Sequence, residues 1–274
     1  MTTAAVAVVA SPGAVTGYAA IGVAVLMLAL WLVSISLRDV SIVDPAWGPA
    51  FVLVALVAAI AGEGCVGRRW LLLAMTAVWG VRLGAHLLVR KLREPGEDRR
   101  YAALRERRGA SFVLWSLVGI FGLQGLLVLI VSLPTQVAAD RGGALTAAVI
   151  PGGALFLVGL GFEAIGDEQL RRFKARSDSH GQIMDQGLWR YTRHPNYFGD
   201  FCVWWGVWLV ALTAGGTWWT FVGPLVMSVL LIRVSGAGLL EKDIGKRRPG
   251  YAQYVRRTSG FFPWPPRGGG GQDE

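Results

Sequence analysis

The sequence predicts an all-α, polytopic membrane protein with about seven transmembrane helices, and three observations predict it. Of the 274 residues, 53% are hydrophobic and only 16% charged, with a mean hydropathy of +0.47. The apolar residues fall in blocks near the roughly 20 residues that carry a helix across a bilayer core. Glycines and prolines separate those blocks, and most of the Lys and Arg lie in every second connection.

Spans are expected at 16–37, 46–62, 70–89, 112–133, 144–166, 197–214 and 217–237. The first follows Pro12-Gly13. No basic residue precedes it and its apolar run reaches Leu37, too long for a secretory signal, so this helix is expected to stay. Pro45 suits the start of the second span, and Pro134 and Pro151 lie near the ends of the fourth and fifth. The Gly-rich link 61–67 reads as a short turn, and Gly215-Gly216 makes the last two spans a tight hairpin. The chain is expected to form a single membrane domain over 1–274, with N-terminal helices in 16–134 and a C-terminal core in 144–264. Residues 268–274 are expected to be disordered.

With the N-terminus outside, the inner connections hold 22 Lys and Arg and the outer ones hold 3, namely Arg68, Arg69 and Arg141. That bias places the C-terminus and residues 185–200 in the cytoplasm. The formal charge of +9 then belongs to the inner face. It suits anionic lipid or a phosphate-bearing ligand there, and nucleic acid is not needed to explain it. Cys65 and Cys202 fit neither a disulfide framework nor a metal site by spacing and are expected to pack as small apolar residues.

Between two apolar blocks, Asp185 to Asp200 reads D-Q-G-L-W-R-Y-T-R-H-P-N-Y-F-G-D. Pro195 restricts His194 to extended geometry and suits the first turn of a helix. The N–H groups of Asn196, Tyr197 and Phe198 are then expected to be open donors at a helix N-terminus. Beside Arg190, Arg193 and His194 they form a recipe for holding an anion. A juxtamembrane loop whose cations meet lipid headgroups fits the same residues equally well.

Ionisable groups at membrane depth cost roughly 3 kcal/mol each and are usually functional. Asp44 opens the second span, and Arg82 and His86 lie four apart in the third. Glu163 and Asp167 have the same spacing late in the fifth, and a continuing helix would add Arg171 and Lys174 to that face. Asp200 and Arg233 follow in the sixth and seventh spans. These residues suggest a polar cavity; internal pairs such as Asp44 with Arg82, or Glu163 with Arg171 or Arg233, would also account for them. In the tail, Tyr251, Tyr254 and Val255 share one helical side, with Arg247, Arg248, Arg256 and Arg257 supplying charge. That pattern fits an interfacial helix anchored by Phe261-Phe262-Pro263-Trp264, or a cap over a cytoplasmic pocket.

The run G-L-W-R-Y-T-R-H-P-N-Y-F-G-D, followed by an apolar hairpin and then E-K…R-R-P-G-Y-x-x-Y, resembles the bacterial members of the steroid 5α-reductase-like membrane proteins. Relatives with this C-terminal core include sterol reductases and isoprenylcysteine carboxyl methyltransferases. The stretches D-P-A-W-G, W-G-V-R-L and E-D-R-R-Y extend the resemblance over about residues 38–264. It implies a bacterial inner membrane location and a pocket that holds NADPH from the cytoplasmic side. The positions implied for that pocket are Asp167, Arg171, Lys174, Arg190, Tyr191, Arg193, His194, Asn196, Tyr197, Asp200, Glu241, Arg247, Arg248 and Tyr251. Glu163 stands where some reductases carry Asn. The carbonyl-polarising Glu and Tyr of the steroid enzymes have Asp44 and His86 as nearest counterparts, so these two are the expected catalytic residues. Neither matches in residue type, and a steroid substrate is not supported.

The activity this resemblance implies is NADPH-dependent reduction of an activated C=C bond in a lipid-like substrate. His86, or Asp44 kept neutral, would stabilise the enolate oxygen. An S-adenosylmethionine-dependent methyltransferase of a lipid or lipidated thiol, with Glu241 as its acidic residue, is the alternative expectation. A non-enzymatic lipid-binding membrane protein is the third.

Overall fold

Apolar blocks without a period-two pattern leave the backbone only its own carbonyls as partners in a membrane, so they fold as helices. The computed structural model describes residues 13–94, 96–179, 181–234 and 250–267. Among them there is no strand, only an isolated parallel bridge between Thr192 and Ser259. Five stretches are long and apolar enough to cross a bilayer: Ala14–Leu37, Val40–Ala61, Val66–Arg93, Arg99–Val131 and Ala147–Lys174. Trp218–Arg233 is a shorter apolar helical stretch. These make the chain a multi-pass membrane protein. The described residues fall into two compact units, one of residues 1–149 with 207–223, the other of 150–206 with 224–274.

In the first unit, α1 (Ala14–Leu37) buries Val15, Ala19, Val23 and Met27 and exposes Ile21, Val25, Leu28 and Leu32. A contiguous apolar exposed face of this kind is suited to acyl chains rather than water. Helix α2 (Val43–Ala61) packs on α3 (Val66–Arg93) through glycines. A Cβ added to Gly80 would lie 2.6 Å from the Gly48 carbonyl oxygen, and one added to Gly84 would lie 2.8 Å from Pro49 Cδ. Pro49 inside α2 has no N–H, so a helical hydrogen bond is missing where Gly84 approaches. Beyond α3 come α4 (Arg99–Arg108), α5 (Phe112–Ser116), a π-helical turn at Leu117–Gly122, α6 (Leu123–Val131) and α7 (Leu133–Ala139).

Two of the three cations expected on the outer face turn out to be structural. Arg68 is 0% exposed. Its guanidinium donates to the carbonyls of Arg141 (3.2 Å), Gly142 (3.1 Å), Ala144 (3.4 Å) and Thr213 (3.4 Å). Arg69 donates to the carbonyls of Ala59 and Gly62 at the end of α2. Planar, multi-donor guanidinium suits this work, because it satisfies several turn carbonyls that no helix can.

The second unit is built on α8 (Ile150–Lys174) and α9 (Pro195–Leu212). Helix α8 starts later than expected, after a 3-10 turn at Ala147–Val149, and runs on to Lys174. Glu163, Asp167, Arg171 and Lys174 therefore do share one helix. Glycines spaced by seven, Gly152, Gly159 and Gly166 on α8 and Gly199 and Gly206 on α9, line the crossing. A Cβ on Gly199 would lie 2.5 Å from both the Gly159 carbonyl oxygen and the Glu163 nitrogen, and one on Gly206 would lie 2.7 Å from the Gly152 carbonyl oxygen. Small residues at this spacing let two helices touch backbone to backbone. Helix α10 (Val222–Val229) continues into a π-helical turn at Leu230–Val234, and α11 (Tyr251–Arg257) precedes an extended strap, 258–267.

The glycine crossing gives a paired expectation. Gly199→Ala must push two backbones apart and should destabilise the protein by about 1–3 kcal/mol. Gly161→Ala meets nothing within 4 Å and should stabilise by about 0.5–1 kcal/mol through helix propensity. Thermal unfolding in detergent of the two variants checks both; equal shifts would remove the crossing as the site of close approach.

Candidate functional site

The polar stretch after residue 185 is shaped by the chain that comes 60 to 75 residues later. Loop residues 191–193 pair with the strap: Arg193 N–H donates to Ser259 O (2.9 Å) and Trp264 N–H to Tyr191 O (3.0 Å). The buried Thr192 hydroxyl donates to Phe261 O (2.7 Å). Tyr254 on α11 donates its hydroxyl to Trp189 O (2.5 Å), and burial pushes the Tyr254 phenol up, away from ionisation. Arg193 spends its Nη1 on the carbonyls of Val255 (3.0 Å) and Thr258 (3.1 Å). Phe261 and Phe262 pack on Phe198 and Phe201 of α9, with ring centroids between 5.6 and 6.3 Å apart. The 3-10 turn Gly187–Arg190 is tied to α8 by Leu188 N–H donating to Gln169 Oε1 (3.0 Å) and Trp189 Nε1 donating to Gly166 O (3.0 Å).

Beneath this loop the crossing of α8 and α9 gathers the titratable side chains. Glu163, Asp167, His194 and Asp200 are all buried. Asn196 donates from Nδ2 to Asp167 Oδ1 (3.1 Å), joining the two helices. His194 stacks on Tyr197 with centroids 5.5 Å apart and planes 5° from parallel. Two of the three N–H groups expected to be open are occupied: Tyr197 N–H donates to Asn196 Oδ1 (3.1 Å) and Phe198 N–H to His194 O (3.0 Å). The short polar side chain of Asn196 caps its own helix, so the helix start offers fewer donors than its sequence suggests.

The remaining sequence-expected positions in this unit lie around that cluster. Tyr191 and Arg190 are exposed, and Tyr251 is buried against Tyr254. Arg171 is engaged by Glu168, with its Nε and Nη2 at 2.6 and 2.7 Å, and Arg172 shares the same carboxylate. Lys174 is exposed at the end of α8. Glu241, Arg247 and Arg248 lie outside the described residues, as do the expected tail 268–274 and the last residues of the 217–237 span. Two cavities open beside the strap. One of about 500 Å³ is lined by Asp185, Gln186, Arg190, Arg257 and Arg267, among others. A second, of about 280 Å³, includes Arg193, Arg256 and Trp264.

The first unit holds a separate constellation that runs from D-V-S-I-V-D to E-D-R-R-Y. Asp39 caps the 3-10 turn Val40–Ile42, accepting from Ser41 N–H (2.9 Å) and Ser41 Oγ (2.5 Å), and pairs with Lys91. Burial raises the Asp39 carboxyl, but the Lys91 and Ser41 hydrogen bonds outweigh it and hold the group below the usual carboxylate range. Glu97 accepts Val40 N–H (3.0 Å) and a bidentate pair from Arg105 (2.8 and 2.7 Å). Asp98 caps α4 through Arg100 N–H (2.9 Å). At the centre, Asp44 accepts from the Tyr101 hydroxyl (2.9 Å) and from Arg100 Nη2 (3.2 Å). His86 is half-buried on α3. Tyr101 was not among the residues the sequence singled out; its mark is that it closes E-D-R-R-Y, a block with more charge than a connection needs.

The profile of a family described as a protein of unknown function (DUF1295), a family associated with steroid 5α-reductase-like membrane proteins, matches residues 30–258. The chain belongs to that family. Neither a curated protein nor a solved structure matches it.

Two outcomes test these contacts. Tyr254→Phe leaves the buried Trp189 carbonyl without its donor and should cost about 1–3 kcal/mol. Hydrogen exchange should then rise across 258–264, and unchanged exchange would mean that the strap does not depend on this bond. Asp39, with its pKa depressed in the folded state, contributes stability above the unfolded-state pKa near 3.9 and loses it as pH falls through the folded value. Asp39→Asn should therefore lower the melting temperature at pH 7, with the difference from the wild type shrinking below about pH 4.

Proposed function

We propose that this membrane protein reduces an activated C=C bond in a lipid-like acceptor with NADPH, crossing a bacterial inner membrane about seven times with its C-terminus in the cytoplasm. The observation that carries the reading is the Tyr101–Asp44 pair, a hydroxyl 2.9 Å from a carboxylate that Arg100 also holds. Such a pair sets a protonated phenol beside a held carboxylate, and the phenol can turn its one proton to an enolate oxygen as charge develops there. Helix α9, at 18 residues, reaches about 27 Å, a length that together with Trp218–Arg233 supports a sixth and a seventh crossing. The excess of Lys and Arg in every second connection supports that orientation.

The residues of the second unit fit a dinucleotide. Buried Asp167 and half-buried Asn196 offer a hydrogen-bonding pair for amide or hydroxyl groups, and the arginine-lined cavity of about 500 Å³ has room for a nucleoside and counter-charge for phosphates. When bound, NADPH supplies the hydride to the β-carbon. The chain's own residues do the rest. Asp167, Asn196, His194 and Tyr197 orient the cofactor; Arg190 offsets its phosphates. Tyr101 would turn its one hydroxyl proton from the Asp44 carboxylate to the carbonyl oxygen as negative charge develops there, while Arg100 compensates the Asp44 charge. His86 is the second candidate donor. The glycine-packed crossing of α8 and α9 excludes water from the buried carboxylates.

The full-length protein in detergent tests this. NADPH should raise the melting temperature and S-adenosylmethionine should not; the reverse result would replace the reductase with a methyltransferase. Stabilisation by neither would leave a lipid-binding role. With an enone lipid as acceptor, Tyr101→Phe should lower turnover about 10²-fold or more with NADPH affinity unchanged. If His86→Phe alone abolishes turnover and Tyr101→Phe does not, the donor is His86. Asn196→Ala should lose NADPH binding while the protein stays folded.

A further inference from the structure

Three guanidinium groups and one carboxylate face the cavity between the 185–190 turn and the strap. Arg257 pairs with Asp185. Arg190 and Arg267 line the same cavity, and among the described residues neither has a carboxylate partner. The surplus is two positive charges around a space of about 500 Å³. The backbone fixes its walls: Arg267 N–H donates to Arg257 O (3.0 Å), and Gly187 holds a left-handed φ of +60° where the turn meets Gln169. Arg267 lies beyond residue 258, where the family match ends.

We propose that this cavity binds a phosphomonoester dianion, with Arg190, Arg257 and Arg267 as its ligands. A phosphomonoester carries close to two negative charges at pH 7, which matches the surplus; a phosphodiester carries one and leaves a cation uncompensated. Guanidinium is suited to the role because it binds phosphate oxygens in pairs. That the phosphate sits on a nucleotide ribose rests on the reductase reading. It would then be the 2′-phosphate, with Arg257 and Arg267 supplying its cations.

The test uses the full-length protein, with NADPH, NADH and 2′,5′-ADP titrated in detergent and phosphatidate compared with phosphatidylcholine in nanodiscs. NADPH should bind about tenfold or more tightly than NADH, 2′,5′-ADP should compete, and Arg267→Ala should remove most of the preference without changing NADH affinity. Arg267→Lys should restore part of it. Stabilisation by phosphatidate that depends on Arg267, with no nucleotide binding, would uphold the phosphomonoester site and overturn its nucleotide occupant together with the reductase. Equal binding of NADPH and NADH, unaffected by Arg267→Ala, with no phosphatidate effect, would overturn the site and leave the reductase standing.

Discussion

The R-H-P-N-Y stretch keeps its shape because an unrelated piece of chain hydrogen-bonds to it. A loop of Thr, Arg and His between two apolar helices has no regular partner for its own N–H and C=O groups, and leaving them buried and unmade would be costly. The strap supplies those partners at Tyr191, Thr192 and Arg193, and α11 supplies one at Trp189. Once these bonds are made, Thr192 and His194 are buried and Pro195 enters α9 at a fixed angle.

The charges divide into those that build and those that remain for chemistry. Arg68, Arg69 and Arg193 are absorbed by backbone carbonyls, and Arg171, Arg172 and Arg105 by neighbouring carboxylates. Exposed pairs of the Arg171–Glu168 kind add little stability, so their chief effect is to remove cations from the pool that could meet a ligand. The arginines around the strap cavity belong mainly to the other group. The same sorting applies to carboxylates: Asp39, Glu97 and Asp98 cap turns and helices, whereas Asp44 meets the Tyr101 hydroxyl and Arg100.

Glycine does for the helices what the strap does for the loop. In a membrane, helix association depends on close packing rather than on expulsion of water. Gly48 with Gly80, and Gly159 with Gly199, bring backbones into contact and so carry Asp44 and Glu163 to defined positions. The π-helical turns at Leu117–Gly122 and Leu230–Val234 shift side-chain register within otherwise regular apolar helices.

Composition by itself determined the helical membrane class, because an apolar block of bilayer length has one backbone solution in lipid. Cation counts determined the expected orientation in the same way, and spacing alone put Glu163, Asp167, Arg171 and Lys174 on one helix. The prolines and glycines located most helix ends to within a few residues; α8 departed because nothing in an unbroken apolar run says where its first turn tightens. Partner choice was decided only by tertiary structure. Whether an arginine meets a carbonyl, a carboxylate or open space depends on residues far along the chain, as Arg68 with Thr213 and Arg193 with Thr258 illustrate. The role of Tyr101 was hidden for the same reason: E-D-R-R-Y marked its stretch, but its partner is an oxygen on Asp44, 57 residues away, and local sequence carries no record of a contact made through space.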